Sequence, residues 1–270
     1  MAAGAELLRG TTDVNVLVTG GTGTLGRVLV MQLRRSGHRA RILSRQPRGH
    51  VDAVQGDLSN GAGLAKAVAG MDAIIHAASA TREPWRGHTV DVVGTRRLLA
   101  MAREENVGQV VYVSIVGVDR SSYPYHRTKL AAEAVVRENL VPWSIVRATQ
   151  FHPFIDLVMG ALSRVPRVTM VPYMWQVQPV HVDEVARRVV EAVLQPPTSA
   201  IADFGGPEVL SFKAVAESWI AARRLDKRLV SLRLPLKFSR QTAQGILTSP
   251  DHKDGAITWS QYLADRYPQQ

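Results

Sequence analysis

Three residues have types and spacing suited to moving a proton: Ser114, Tyr125 and Lys129. On a helix, residues four apart share one face with Cβ atoms about 5–6 Å apart, so Tyr125 and Lys129 can address one bound reactant. A phenol with an ordinary pKa near ~10 is a poor proton donor or acceptor around neutrality, and a neighbouring ammonium favours its ionised form. Ser114 would hydrogen-bond the oxygen that gains or loses the proton, with Ser121 or Ser122 as alternatives if the intervening loop folds differently. The Tyr–Lys spacing alone is weak, so its weight depends on the elements that carry it.

Those elements read as an α/β domain. Short β-branched runs alternate with helical patterns, the signature of βαβ units and a doubly wound, Rossmann-type parallel sheet. Strands are expected at Val14–Val18, Arg39–Ser44, Ala53–Gln55, Ala73–Ala77, Gln109–Ser114 and Trp143–Arg147, with helices at Thr24–Ser36, Val93–Glu105, Thr128–Asn139 and Val182–Leu194. Pro166, Pro172 and Pro179 break up the stretch after the sixth strand, and a helical region begins near Phe212. The expected organisation is a tail over 1–12 and one domain over 13–270, with a small substrate-side lobe built mainly from 151–180 and 205–270.

The glycines Gly20, Gly23 and Gly26 follow the first strand and open the first helix. Such a turn lets backbone approach a pyrophosphate while uncapped helix amides receive its charge. Gly20, Thr22, Gly23, Thr24, Leu25 and Gly26 are therefore candidate dinucleotide ligands. Between Arg39 and Gly49 there is no acid to bind a ribose 2′-hydroxyl, whereas Ser44, Arg45 and Arg48 suit a 2′-phosphate. The expected cofactor is NADP(H), with NAD(H) second. Hydride would then pass between nicotinamide C4 and a carbonyl carbon while Tyr125 supplies or removes the proton.

The segment Thr19–Gly26 also resembles the turn of the short-chain dehydrogenase/reductase superfamily, and further matches follow in order. Gly56-Asp57-Leu58 is similar to its adenine-contacting turn, His76-Ala77-Ala78 to its nicotinamide-side loop and Val113-Ser114 to the end of its fifth strand. Tyr125-His-Arg-Thr-Lys129 resembles its YxxxK, Pro142–Arg147 its sixth strand, and Pro179–Asp183 a later strand leading into a helix. The resemblance runs from about Val14 to Leu210 and is nearest the atypical, NmrA-like branch. It implies that Asp57, Leu58, Ala77 and Ala78 line the cofactor and that Lys129 holds the nicotinamide ribose.

Composition bounds what remains. With 46% hydrophobic and 21% charged residues, the 270-residue chain reads as globular. Without cysteine it can have no disulfide or thiolate site, and no His/Asp/Glu spacing suggests a metal. The formal charge of +10 is spread along the chain in pairs such as Arg34-Arg35 and Arg96-Arg97, so neither a nucleic-acid nor a membrane partner is expected. No apolar run matches a membrane span or secretory signal, and a cytoplasmic location is expected. Monomer and homodimer are both compatible with the sequence.

Smaller readings concern the later part. His152 is read as a loop histidine in preference to a substrate-side group, and Asp183 as a helix cap rather than a catalyst. Met170, Tyr173, Met174 and Trp175 could cover an apolar substrate or simply pack a core. The leading function is an NADP-dependent oxidoreductase acting on a small apolar carbonyl or alcohol. The alternatives are a non-catalytic NADP(H)-binding sensor and a sugar-nucleotide epimerase or dehydratase, which the short chain disfavours.

Overall fold

The structure is a computed structural model, and it describes residues 13–47, 49–81 and 86–268. The expected tail over 1–12 and Arg48 lie outside the described residues. The chain divides into two compact units. The first comprises Met1–Ser114, Pro124–Arg147 and Val185–Ala202, and the second Ile115–Tyr123, Ala148–Glu184 and Asp203–Gln270.

The first unit follows the alternation read from the sequence: β1 (Asn15–Thr19), α1 (Thr24–Arg35), β2 (Arg39–Ser44), β3 (Ala53–Gln55), α2 (Leu64–Val68), β4 (Ala73–His76), α3 (Gly94–Glu104), β5 (Gln109–Ile115), α4 (Pro124–Arg137) and β6 (Trp143–Ala148). A later strand, β9 (Ile201–Phe204), completes a seven-stranded sheet of order β3-β2-β1-β4-β5-β6-β9. The parallel register sets Thr19 opposite Leu43 on one side and opposite His76 on the other. Strand order therefore reverses between β1 and β4, and open α/β sheets bind ligands outside the carboxyl ends of the strands at such a point. Leu17, Ile74, Leu98, Val110, Tyr112 and Ile145 are among the buried residues that pack this core.

Two local features depart from the expected boundaries, and an ion pair locks the helix that carries one of them. Helix α4 begins at Pro124, four residues before Thr128, because proline is preset for the first helical position and needs no amide partner there. Tyr125 and Lys129 consequently share that helix. Ahead of α3, His88–Val93 forms a single π-helical turn, an irregularity with no compositional signature. Glu133 of α4 accepts from Nε and Nη2 of Arg147 on β6, at 2.9 Å and 2.7 Å, which fixes the helix against the sheet.

The second unit contains α5 (His152–Leu162), β7 (Val168–Val171), β8 (Gln176–Val177), the start of α6 (Val182–Leu194), β10 (Leu210–Ser211), α7 (Phe212–Ala222), β11 (Arg228–Ser231), α8 (Lys237–Ala243) and α9 (Trp259–Arg266). It has its own core, in which Ile155, Met159, Val171, Phe212, Trp219 and Trp259 pack together. β7 pairs with β11 in parallel and β8 with β10 antiparallel.

Candidate dinucleotide site and proton-transfer residues

The glycine turn is dictated by close approach. Gly20 has φ +71°, and a Cβ there would lie 2.8 Å from the Ala78 amide nitrogen. At Gly26 a Cβ would fall 2.0 Å from the Gly20 carbonyl oxygen, so the helix packs on the turn only because glycine has no side chain. Gly23 donates to the Gly20 oxygen at 2.9 Å and precedes α1. Among the described residues no side chain caps α1, and its first turn holds no acid. The helix therefore presents its leading amides and the positive end of its dipole without an internal anion, which fits a pyrophosphate. Gly23 and Thr24 are exposed, Thr22 is half-buried, and Leu25 and Gly26 are buried beneath them.

Arg45 is exposed, and the half-buried Ser44 accepts the Gln46 amide at 3.2 Å. Asp57 accepts the Ser59 amide at 2.8 Å. Burial pushes its carboxyl up, but the Ser59 hydrogen bonds and the charges of Arg45 and Arg86 outweigh this and hold it below the usual value. Arg86, which donates to Ser59 Oγ at 3.1 Å, is a second cation here that sequence reasoning missed. Leu58 is buried, and Ala77 and Ala78 are half-buried after β4.

A chain of buried hydroxyls and one imidazole lies where β1 and β4 end. Thr95 donates its hydroxyl proton to the Asp91 carbonyl, so it accepts from His76 Nε2 at 2.8 Å. Thr19 Oγ1 meets His76 Nδ1 at 2.7 Å and accepts the Ala78 amide at 3.2 Å. This order makes His76 a neutral imidazole protonated at Nε2. Burial, reinforced by the Lys129 charge, pushes its pKa down to about 3. The chain fixes the loop carrying Ala77–Ala80.

From that loop Ser79 reaches Tyr125, a candidate for proton transfer. Its Oγ donates to Asp91 Oδ1 and lies 2.9 Å from Tyr125 Oη. Asp91 is fully buried and also accepts the Ala80 amide at 3.0 Å. Neither Ser79 nor Asp91 was singled out in the sequence, because each is a common residue type whose partner is remote in the chain.

Ser114, Tyr125 and Lys129 all belong to the first unit. Lys129 donates to the Val113 carbonyl at 2.8 Å and sits 4.1 Å from the centre of the Tyr112 ring. Burial lowers its pKa to about 8, against the Asp91 and Glu133 carboxylates, which favour the charged form. Ser114 is buried, and its hydroxyl has no hydrogen-bond partner among the described residues. The alternative serines are engaged within the second unit. Ser122 Oγ donates to Gln241 Oε1 at 2.6 Å, and Ser121 Oγ accepts the Tyr123 amide at 3.2 Å.

The remaining candidates lie in the second unit. His152 is not in a loop: it is the first residue of α5, with Pro153 behind it in the first turn. Its ring packs 4.9 Å from Tyr262 and 5.7 Å from His181. Burial and the adjacent His181 push it down to about 3, against the Pro179 carbonyl, which favours its proton. Asp183 sits inside the first turn of α6, and the cap is instead His181, whose Nδ1 accepts the Asp183 amide at 3.2 Å. Trp175 donates to Ser239 Oγ at 2.9 Å and packs with Tyr173 against the unit's core, while Met170 and Met174 are exposed.

Residues 20–196, most of the chain, match the family described as NAD(P)H-binding. The chain belongs to that family. Its fold is that of the short-chain dehydrogenase/reductase superfamily, as the ordered motifs implied. A superfamily member from Agrobacterium tumefaciens with bound NAD superposes with a TM-score of 0.71 at 21% identity, covering 93% of this chain and 95% of that one. An NADPH-dependent quinone oxidoreductase from Escherichia coli gives a TM-score of 0.75 at 12% identity over 93% and 99%. Among curated relatives, the 2-alkyl-3-oxoalkanoate reductase of Stenotrophomonas maltophilia is 34% identical over 122 residues, 41% of this chain and 36% of its own length. The match thus spans little more than a third of that relative.

Proposed function

We propose that the chain is an NADP(H)-dependent oxidoreductase that interconverts a small apolar carbonyl compound and its alcohol. The observation that carries this reading is the buried Ser114 hydroxyl, unpartnered among the described residues and one residue beyond the Val113 carbonyl that orients the Lys129 ammonium. A buried hydroxyl without a partner costs roughly 1–3 kcal/mol, which a substrate oxygen accepting its proton would recover. When bound, the dinucleotide supplies or accepts hydride at nicotinamide C4.

Every other role falls to the chain's own residues. The amides of the Gly20–Gly26 turn hold the pyrophosphate, with Thr22, Gly23, Thr24 and Leu25 nearest the helix start. Ser44, Arg45 and Arg48 receive the 2′-phosphate, Asp57 and Leu58 border the adenine, and Ala77 and Ala78 border the nicotinamide. Ser114 fixes the substrate oxygen, Tyr125 gives or takes its proton, and Lys129 holds the ribose. The relative's named substrate, a 2-alkyl-3-oxoalkanoate, is a ketone that also bears a carboxylate, and it supports the carbonyl part of this substrate class.

The test is calorimetric titration of wild type and Tyr125→Phe with NADPH and NADH, followed by a panel of apolar carbonyl compounds read at the nicotinamide absorbance. The expected result is tighter binding of NADPH by both proteins, and turnover that falls by about 10²–10⁴-fold in Tyr125→Phe. Tight binding with no consumption in either protein would instead favour the sensor.

A further inference from the structure

Two stretches of the second unit, 157–182 and 227–250, contain no aspartate or glutamate. The fold zips them together. β7 and β11 pair with Val168 opposite Arg228 and Met170 opposite Val230. Lys227 Nζ donates to the carbonyls of Ser163 and Val165 at 2.7 Å and 2.8 Å. The pairing therefore brings Arg164 and Arg167 beside Lys227 and Arg228, with Arg233, Lys237 and Arg240 following in the chain. Arg164 and Arg167 come from the first stretch, and Lys227, Arg228, Arg233, Lys237 and Arg240 from the second. Across the whole unit thirteen lysines and arginines face eleven acids, so seven of the thirteen cations and none of the acids fall here.

The same stretches hold apolar side chains turned outward. Along β7, Thr169 and Val171 are buried while Met170 between them is exposed, and its partner Val230 is exposed too. Met174 is 75% exposed and Leu236 57%. Bare aliphatic groups set among cations suit an anionic lipid surface, where the apolar groups enter the acyl boundary and the cations meet phosphates. Nucleic acid fits less well, because Met, Val and Leu offer no face on which a base can stack. The aromatic residues of these stretches, Tyr173, Trp175 and Phe238, are half-buried.

We propose that the β7–β11 face of the second unit docks on an anionic lipid membrane as a peripheral contact. No helix among the described residues is long and apolar enough to cross a bilayer, so the contact is interfacial. It departs from the sequence-based expectation of no membrane partner, and it stands independently of the redox chemistry proposed above.

The test is co-sedimentation of the full chain with phosphatidylcholine vesicles, with and without about 30% phosphatidylglycerol. Wild type is expected to bind the anionic vesicles and to be released by salt. Arg233→Glu/Arg240→Glu should weaken binding at least about tenfold. Met174→Ser/Leu236→Ser should weaken it severalfold at unchanged charge. Arg96→Glu/Arg103→Glu, on the exposed side of α3 in the other unit, should leave most binding intact. Absence of binding to anionic vesicles overturns the proposal, as does equal loss in the α3 variant. Displacement of the vesicles by a single-stranded oligonucleotide at lower concentration would mark the surface as one for nucleic acid and likewise overturn it.

Discussion

Ser79 Oγ lies 2.9 Å from Tyr125 Oη while donating its own proton to Asp91. With that proton committed, the Ser79 oxygen accepts the phenol's hydrogen and sets the direction in which Tyr125 points. Asp91 thus orients Tyr125 through Ser79, and its charge also favours the protonated form of Lys129. In the proposed reaction Ser79→Ala should lower kcat about tenfold, less than loss of the acid itself, with KM for NADPH unchanged. Asp91→Asn removes the carboxylate's charge at nearly constant shape. Lys129 should then lose its proton below about 8, moving the alkaline fall in NADPH affinity to lower pH. A pH profile of binding that is identical in wild type and Asp91→Asn would separate Asp91 from Lys129.

Gly26→Ala should damage the turn itself. The added Cβ would fall 2.0 Å from the Gly20 oxygen and 2.6 Å from the Gly21 Cα, both backbone atoms that cannot rotate aside. The helix must shift away from β1, at a cost of roughly 1–3 kcal/mol. Binding of either dinucleotide should be lost with it. Urea unfolding and calorimetry read the two effects separately, and an alanine variant that unfolds at the wild-type midpoint would contradict the packing.

How much of this was legible follows from how local each signal is. Gly20, Gly23 and Gly26 declare themselves because the turn and the helix packing are both encoded within seven residues. Helix α6 was read with its observed bounds, Val182–Leu194, because its apolar spacing is uninterrupted. Ser79 and Tyr125 are 46 residues apart, and neither the spacing nor the residue types announces the pair. The second unit was obscured for a different reason. Pro166, Pro172 and Pro179 read as breakers after β6, yet a helix starts at His152 with Pro153 in its first turn, where proline is welcome. The pairing of β7 with β11 joins two short strands about 60 residues apart, and neither is long enough to show alternation.

Acid sensitivity should come from the buried histidines. His76, His126 and His152 have pKa values pushed by burial from 6.5 to about 3, about 4 and about 3. Each folded value lies below the unfolded one, so the unfolded chain binds more protons as the pH drops under 6.5. Their stabilising contribution is complete above that pH and drains away as it falls toward 4, by up to roughly 1.4 kcal/mol per histidine per pH unit. His152→Phe keeps a ring against Tyr262 and Trp259 and removes one of these groups. Urea midpoints measured from pH 7 to pH 5 should fall less steeply in the variant than in wild type. Parallel slopes would mean that His152 is not held neutral.

Cofactor preference should turn on Arg45. It is exposed at the end of β2, in a stretch without an acid from Arg39 to Gly49. Its charge also helps hold Asp57 ionised, and Arg86 provides a second positive charge beside that carboxylate. A charge-assisted hydrogen bond contributes about 1.5–3 kcal/mol, so Arg45→Asp should weaken NADPH binding by roughly 10–100-fold. NADH should bind as well or better, since an acid at this position can accept from the ribose 2′-hydroxyl. Arg45→Ala separates loss of attraction from added repulsion and should fall between the two for NADPH alone. If the NADPH-to-NADH affinity ratio is the same in all three proteins, Arg45 does not hold the phosphate, and the preference must be sought in Arg86 or Arg48.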